Sequence, residues 1–127
     1  MTLVVDASAI AAMVFGEADG ETIAAHVEGQ TLIAPTLIDY ELVNTAVKKI
    51  RRQPDRQTEL LASVELARRF PVTRVPVSPF DALPLALETG LSGYDAAYLW
   101  LALSQDLELV TLDNKLAQVN QARREPL

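Results

Sequence analysis

The sequence predicts an α/β fold, a central parallel sheet of about four strands flanked by about seven helices. Two observations carry this. Short β-prone runs at Leu3–Val5, Thr31–Ala34, Thr73–Val77 and Leu107–Leu112 alternate with longer stretches whose apolar residues recur at helical spacing. The first run is apolar throughout and two of its three residues are β-branched, as suits a strand covered on both faces. At 127 residues the chain can bury a real core but not comfortably two, so residues 1–127 read as a single domain.

In chain order, Leu3-Val4-Val5 is a buried strand ending at Asp6, and Asp6-Ala-Ser8 leads into a helix, Ala9–Phe15, stopped by Gly16. Asp19 is placed to cap a second helix reaching about Glu28, with Gly29 at its C-terminal end. Thr31–Ala34 is the second strand. Pro35-Thr36 opens a third helix to about Arg52, with Ile38, Leu42, Ala46 and Ile50 on one stripe and Glu41, Asn44 and Lys48 on another. Gln53-Pro54 breaks it and starts the next helix, where Leu60, Leu61, Val64, Ala67 and Phe70 recur, and Pro71 ends that one. Thr73–Val77 is the third strand, its pairing limited by Pro76. Ser78-Pro79 opens a helix to Thr89-Gly90. Ser92 then caps a helix in which every residue from Tyr94 to Leu103 except Asp95 is apolar or aromatic. That run is too short to cross a membrane, so it predicts a helix buried on nearly all sides. Leu107–Leu112 alternates as the fourth strand, Asn114–Val119 is a last short helix, and residues 120–127 read as a loose tail.

Composition excludes several functions. Half the residues are hydrophobic and 22% are charged, a globular profile. There is no cysteine, hence neither a disulfide framework nor a thiolate zinc site. Met1-Thr-Leu-Val-Val-Asp6 lacks the basic flank and long apolar region of a signal peptide, so the expected location is cytoplasmic. Eleven basic against seventeen acidic side chains give a net charge of −6, which argues against broad charge-driven nucleic-acid binding. It leaves room for an enzyme whose acids gather in one metal pocket, where a cation inverts the local sign.

Four acids fit such a pocket. Asp6 ends a strand. Glu41 lies early in a helix that follows a strand. Asp95 sits in the first turn of an otherwise apolar helix, where the dipole and free N–H groups favour its charge. Helix and strand lengths link Asp95 to Asp113. About nine helical residues descend ~13 Å at 1.5 Å each, and about four strand residues climb back ~13 Å at 3.3 Å each. Both acids then lie on the carboxyl edge, where open α/β sheets bind ligands. Taken singly, each has a bland explanation as a helix cap, a turn residue or a solvated face. Taken together, clustered carboxylates raise one another's pKa unless a cation sits among them. All-oxygen donors with one histidine and no cysteine favour Mg²⁺ or Mn²⁺ over zinc.

The segments Val5-Asp6-Ala-Ser8, Tyr40-Glu41-Leu-Val-Asn44, Gly93-Tyr94-Asp95-Ala-Ala-Tyr98-Leu and Leu109-Val-Thr111-Leu-Asp113 together resemble the PIN domain, and within it the VapC-type toxins of toxin–antitoxin pairs. The likeness covers essentially the whole chain. It implies a Mg²⁺- or Mn²⁺-dependent endoribonuclease that leaves a 5′-phosphate. Asp6, Glu41, Asp95 and Asp113 would be its catalytic, metal-binding acids, and Ser8, Asn44 and Thr111 would support them or touch the phosphate. It also implies a homodimer and a VapB-type antitoxin partner. Two positions depart from the pattern: Leu112 stands where relatives often carry a small residue, and the segment after Val119 lacks their β-rich ending.

Lys48 and Arg52 belong to the one dense basic patch, either a solvated helix end or a contact for the RNA backbone. His26 reads as a surface or packing residue, and Tyr98 and Trp100 as core. Ser8 has no histidine partner and is a poor candidate nucleophile. A catalytically silent PIN-like interaction module is one alternative. Another is a receiver or phosphatase domain, which would leave Glu41 and Asp95 unexplained.

Overall fold

In the computed structural model, which describes residues 1–124, four parallel strands form one sheet in the order β3-β2-β1-β4. They are β1 (Thr2–Val5), β2 (Thr31–Pro35), β3 (Val72–Val75) and β4 (Glu108–Val110). Among the described residues seven α-helices join and flank them: α1 (Ala7–Val14), α2 (Gly20–Val27), α3 (Ile38–Arg52), α4 (Gln57–Arg69), α5 (Pro79–Thr89), α6 (Gly93–Ser104) and α7 (Asn114–Arg124). A 3₁₀ turn over Pro54–Arg56 links α3 to α4, with the proline at a position that needs no N–H donor.

Register explains why the first strand is so apolar. Leu3, Val4 and Val5 pair with Leu32, Ile33, Leu109 and Val110 on their two sides, and Val4 and Val5 are fully buried. The edge strand β3 is less covered, as the polar Thr73 and Arg74 within it allow. Helix α6 packs on β1 and β2 and buries Ala96, Ala97, Tyr98, Leu99, Leu101 and Ala102, so most of its apolar run is core, while Tyr94 at its start stays exposed. Helices α1 and α2 meet so closely that a Cβ on Gly20 would lie 2.4 Å from the Ala12 carbonyl oxygen, a contact only glycine permits. The first three residues of the predicted stripe on α3, Ile38, Leu42 and Ala46, are buried, and Ile50 at its end is only partly so.

Several boundaries differ from expectation, for local reasons. Pro35 ends β2 opposite Val75 and does not open the next helix, which begins at Ile38. Asp19 stands at the start of α2 but makes no side-chain cap, because its own backbone is already helical. Leu61 on α4 is exposed, whereas Leu60 and Ala67 are buried. Strand β4 stops at Val110 because the next backbone donors turn to side chains: Leu112 N–H to Ser8 Oγ at 2.9 Å and Asp113 N–H to Thr111 Oγ1 at 3.0 Å. The loose tail expected over residues 120–127 is corrected for its first half, since α7 continues through Arg124. Buried Leu116 anchors that helix, Arg123 reaches Glu88 at 2.7 Å, and Arg124 donates to the Leu107 carbonyl. No strand follows α7 among the described residues, and the rest of that expected tail, 125–127, lies outside them.

Candidate active site

The connection leaving β1 passes to β2 on one side, while β4 lies on the other, so a crevice opens beyond the carboxyl ends of β1 and β4. Asp6 follows β1 there, and its N–H extends the ladder by donating to the Val110 carbonyl at 3.2 Å. Asp113 closes the turn after β4. Helix α3 brings Glu41 in its first turn, and α6 brings Asp95 in its first turn. All four carboxylates, with Ser8, Asn44 and Lys48, line one cleft of about 250 Å³. The sequence-predicted acids therefore converge, as the matched helix and strand lengths require.

Asp6 is the most tightly held of the four, at 5% exposure. Its Oδ1 accepts from Ser8 Oγ at 2.7 Å and from the Ala9 N–H at 3.0 Å, capping α1; its Oδ2 accepts from Thr111 Oγ1. Ser8 and Thr111 are themselves fixed, each accepting the backbone N–H that β4 releases. Three of the roughly four acceptor positions of the carboxylate are thus occupied, leaving one lone pair on Oδ2 unassigned. Thr111 acts through Asp6 and is not in the cleft wall.

Glu41 has a partner that periodicity alone assigns to the core. The Tyr98 hydroxyl donates to Glu41 Oε1 at 2.6 Å, although the residue is only 1% exposed. The ring packs inside while its single polar atom reaches the Glu41 carboxylate, a division of labour that buried tyrosine favours. Burial and the neighbouring Glu41 charge hold the Tyr98 phenol well above its ordinary range, so it stays a donor. The faint sequence signal for this was spacing: Tyr98 follows Asp95 by three, and thus shares its face of α6. Asp95 lies beside the helix start that Ser92 caps, its N–H donating to Ser92 Oγ at 3.1 Å. Asp113 also caps, Oδ1 accepting the Leu116 N–H at 2.9 Å.

Electrostatically the cleft is crowded with like charge. Burial pushes the Asp6 carboxyl up, the bonds from Ser8, Thr111 and Ala9 oppose the rise, and the Asp113 charge adds to it. Burial likewise raises Glu41, opposed by the Tyr98 hydroxyl and reinforced by Asp95 and Asp6. Asp95 is raised by burial, Asp113 and Asp6, with Lys115 opposing. Among the described residues no three acids form a closed coordination set. The donor chemistry still suits a hard cation. The wall offers carboxylate oxygens, Asp6 keeps a lone pair free, and Mg²⁺ retains several waters and needs only one or two direct carboxylates.

Of the other predicted positions, Asn44 and Lys48 lie in the cleft wall and Arg52 does not. His26 is half-exposed and pairs with Glu108, away from the acids. Leu112 is 36% exposed, so the larger side chain at this position is not demanded by the core.

Residues 3–122 match the PIN domain family. The chain belongs to the PIN domain family. As a PIN domain it is 37% identical over 123 residues to Ribonuclease VapC3 of Pyrobaculum aerophilum, covering 93% of this chain and 94% of that protein. It is 31% identical over 116 residues to Ribonuclease VapC12 of Mycobacterium tuberculosis, covering 91% and 90%. The crystal structure of PAE2754 from Pyrobaculum aerophilum superposes on this PIN domain with a TM-score of 0.72 at 28% identity, covering 94% of this chain and 84% of that one. The four-stranded parallel sheet and the expected family are therefore both confirmed.

Proposed function

We propose that this PIN domain is a divalent-metal-dependent endoribonuclease of the VapC type, with residues 1–127 acting as one cytoplasmic nuclease unit. The observation that carries the reading is the convergence of Asp6, Glu41, Asp95 and Asp113 from four separate segments on one cleft. The names of the relatives supply the substrate class: RNA. A toxin of the VapC type would have a VapB-type antitoxin as its partner, and we take the assembly to be a homodimer.

In this reading Asp6 and Asp95 hold a Mg²⁺ or Mn²⁺ ion, with Asp113 and Glu41 completing its surroundings. Bound there, such an ion lowers the pKa of a water molecule and offsets charge developing on the phosphate. Ser8 and Thr111 keep the Asp6 carboxylate from rotating. Tyr98 does the same for Glu41. Asn44 supplies an amide N–H toward a phosphate oxygen, and Lys48 brings one positive charge to an acidic wall. No side chain acts as nucleophile.

Mapping RNA 5′ ends after brief induction of wild type and of Asp95→Asn tests the proposal. New 5′-phosphate ends are expected in wild type alone, and cleavage by the purified chain should stop with EDTA and return with Mn²⁺. The competing reading, a silent interaction module, requires no new ends and calorimetric Mn²⁺ binding that ignores the acids.

A further inference from the structure

Beside the acid cleft lies a second hollow of about 320 Å³, lined by Leu37, Tyr40, Glu41, Asn44 and Tyr94. Glu41 and Asn44 form part of both walls, so the two spaces adjoin. The rings that flank it are conspicuously outside the core: Tyr40 is 84% and Tyr94 66% exposed, against 1% for Tyr98. Each directly precedes a candidate acid, Tyr40 before Glu41 on α3 and Tyr94 before Asp95 on α6. Successive helical residues point about 100° apart, which sets each ring on the flank of the site its acid faces.

We infer that this hollow is a nucleobase subsite, in which Tyr40 and Tyr94 stack an unpaired base next to the bond that is cut. The inference rests on the ribonuclease reading and adds to it a contact that holds a base. Charge makes the case for stacking. The chain carries a net −6, and among the described residues Lys48 is the one basic side chain lining the acid cleft, so phosphate attraction alone holds a polyanion weakly. Stacking on tyrosine faces supplies affinity that needs no positive charge and accepts any base.

The test is fluorescence anisotropy with a short labelled single-stranded RNA, measured on the non-cleaving Asp95→Asn chain in Mg²⁺. Adding Tyr40→Ala or Tyr94→Ala should weaken binding roughly 5- to 100-fold, whereas the Phe replacements should stay within about twofold. The salt dependence should keep its slope, since no phosphate contact is lost. A matched strand with abasic residues should bind weakly and respond to neither Ala variant. Both side chains are exposed, so folding survives these changes. Unaltered RNA affinity in the two Ala variants overturns the subsite while leaving the nuclease reading intact, provided wild type still cleaves. Unaltered affinity with a change in solution mass by light scattering would assign the face to contact between copies instead. If wild type neither binds nor cleaves RNA, both readings fall.

Discussion

Asp6 answers to structure and to the site at once. Its carboxylate caps α1, ties the ends of β1 and β4 together through Ser8 and Thr111, and still lines the cleft. The residue is therefore a poor choice for separating folding from function. Tyr98 separates them better. Removing its hydroxyl as Tyr98→Phe keeps the buried ring and frees Glu41, whose lost hydrogen bond costs about 1 kcal/mol because water can reach the exposed part of the carboxylate. Mn²⁺ affinity should fall roughly 10-fold, as it does when groups that orient metal ligands are removed. Calorimetry alongside thermal melting checks this. Lowered stability with undiminished Mn²⁺ binding would make the hydroxyl a structural partner only. At this scale the four acids were legible in the sequence, because charge in apolar surroundings is conspicuous. The Tyr98 bond was not, since apolar periodicity reads the ring and is blind to where its one oxygen ends up.

Asp113 shows how an element's needs overlap with a site's. The residue opens α7 by accepting the Leu116 N–H, and also faces Asp95 and Asp6 across the cleft. Asparagine caps a helix about as well as aspartate, whereas alanine forfeits about 1 kcal/mol. Asp113→Asn should accordingly retain its melting temperature while losing Mn²⁺ affinity, and Asp113→Ala should lose both. Equal Mn²⁺ titrations for wild type and Asp113→Asn would reduce the acid to a cap. Elements were legible from sequence as to number and kind; their ends were less so. Pro35 remains in β2 and α7 runs on to Arg124 because strand pairing with Val75 and contacts with Glu88 and Leu107 settle those ends. Each partner lies far along the chain, beyond the reach of a local pattern.

Across the whole molecule, the crowded carboxylates set the response to pH. Asp6, Glu41 and Asp95 bind their protons more tightly folded than unfolded. In that window the unfolded chain carries fewer protons, so their contribution lowers stability as pH rises above the ordinary carboxylate range, then levels off. The α6 dipole favours the Asp95 charge by about 0.3–1 kcal/mol, but burial and two acidic neighbours outweigh it. Without metal at pH 7, Asp95→Asn should therefore melt about 1–3 °C above wild type. The two curves should meet as pH drops below about 4, where the acid is neutral in both states. Saturating Mn²⁺ should reverse the order: at 100 times the dissociation constant, binding stabilises wild type by about 2.7 kcal/mol. A metal-free wild type as stable as the variant at neutral pH would mean that the acids do not burden the fold.

By itself the sequence determined the alternation of strand and helix, the burial of α6, the four acids and the family they mark. Those features are local, because side-chain period and residue chemistry are written in neighbouring positions. Only the tertiary structure decided that Tyr98 braces Glu41, that Lys48 but not Arg52 lines the acid cleft, and that two exposed tyrosines border a hollow sharing its wall. These depend on how α3 and α6 are set against the carboxyl ends of β1 and β4. That setting is a balance of packing among segments as many as 105 residues apart, as for Asp6 and Thr111, and no short window of sequence contains it.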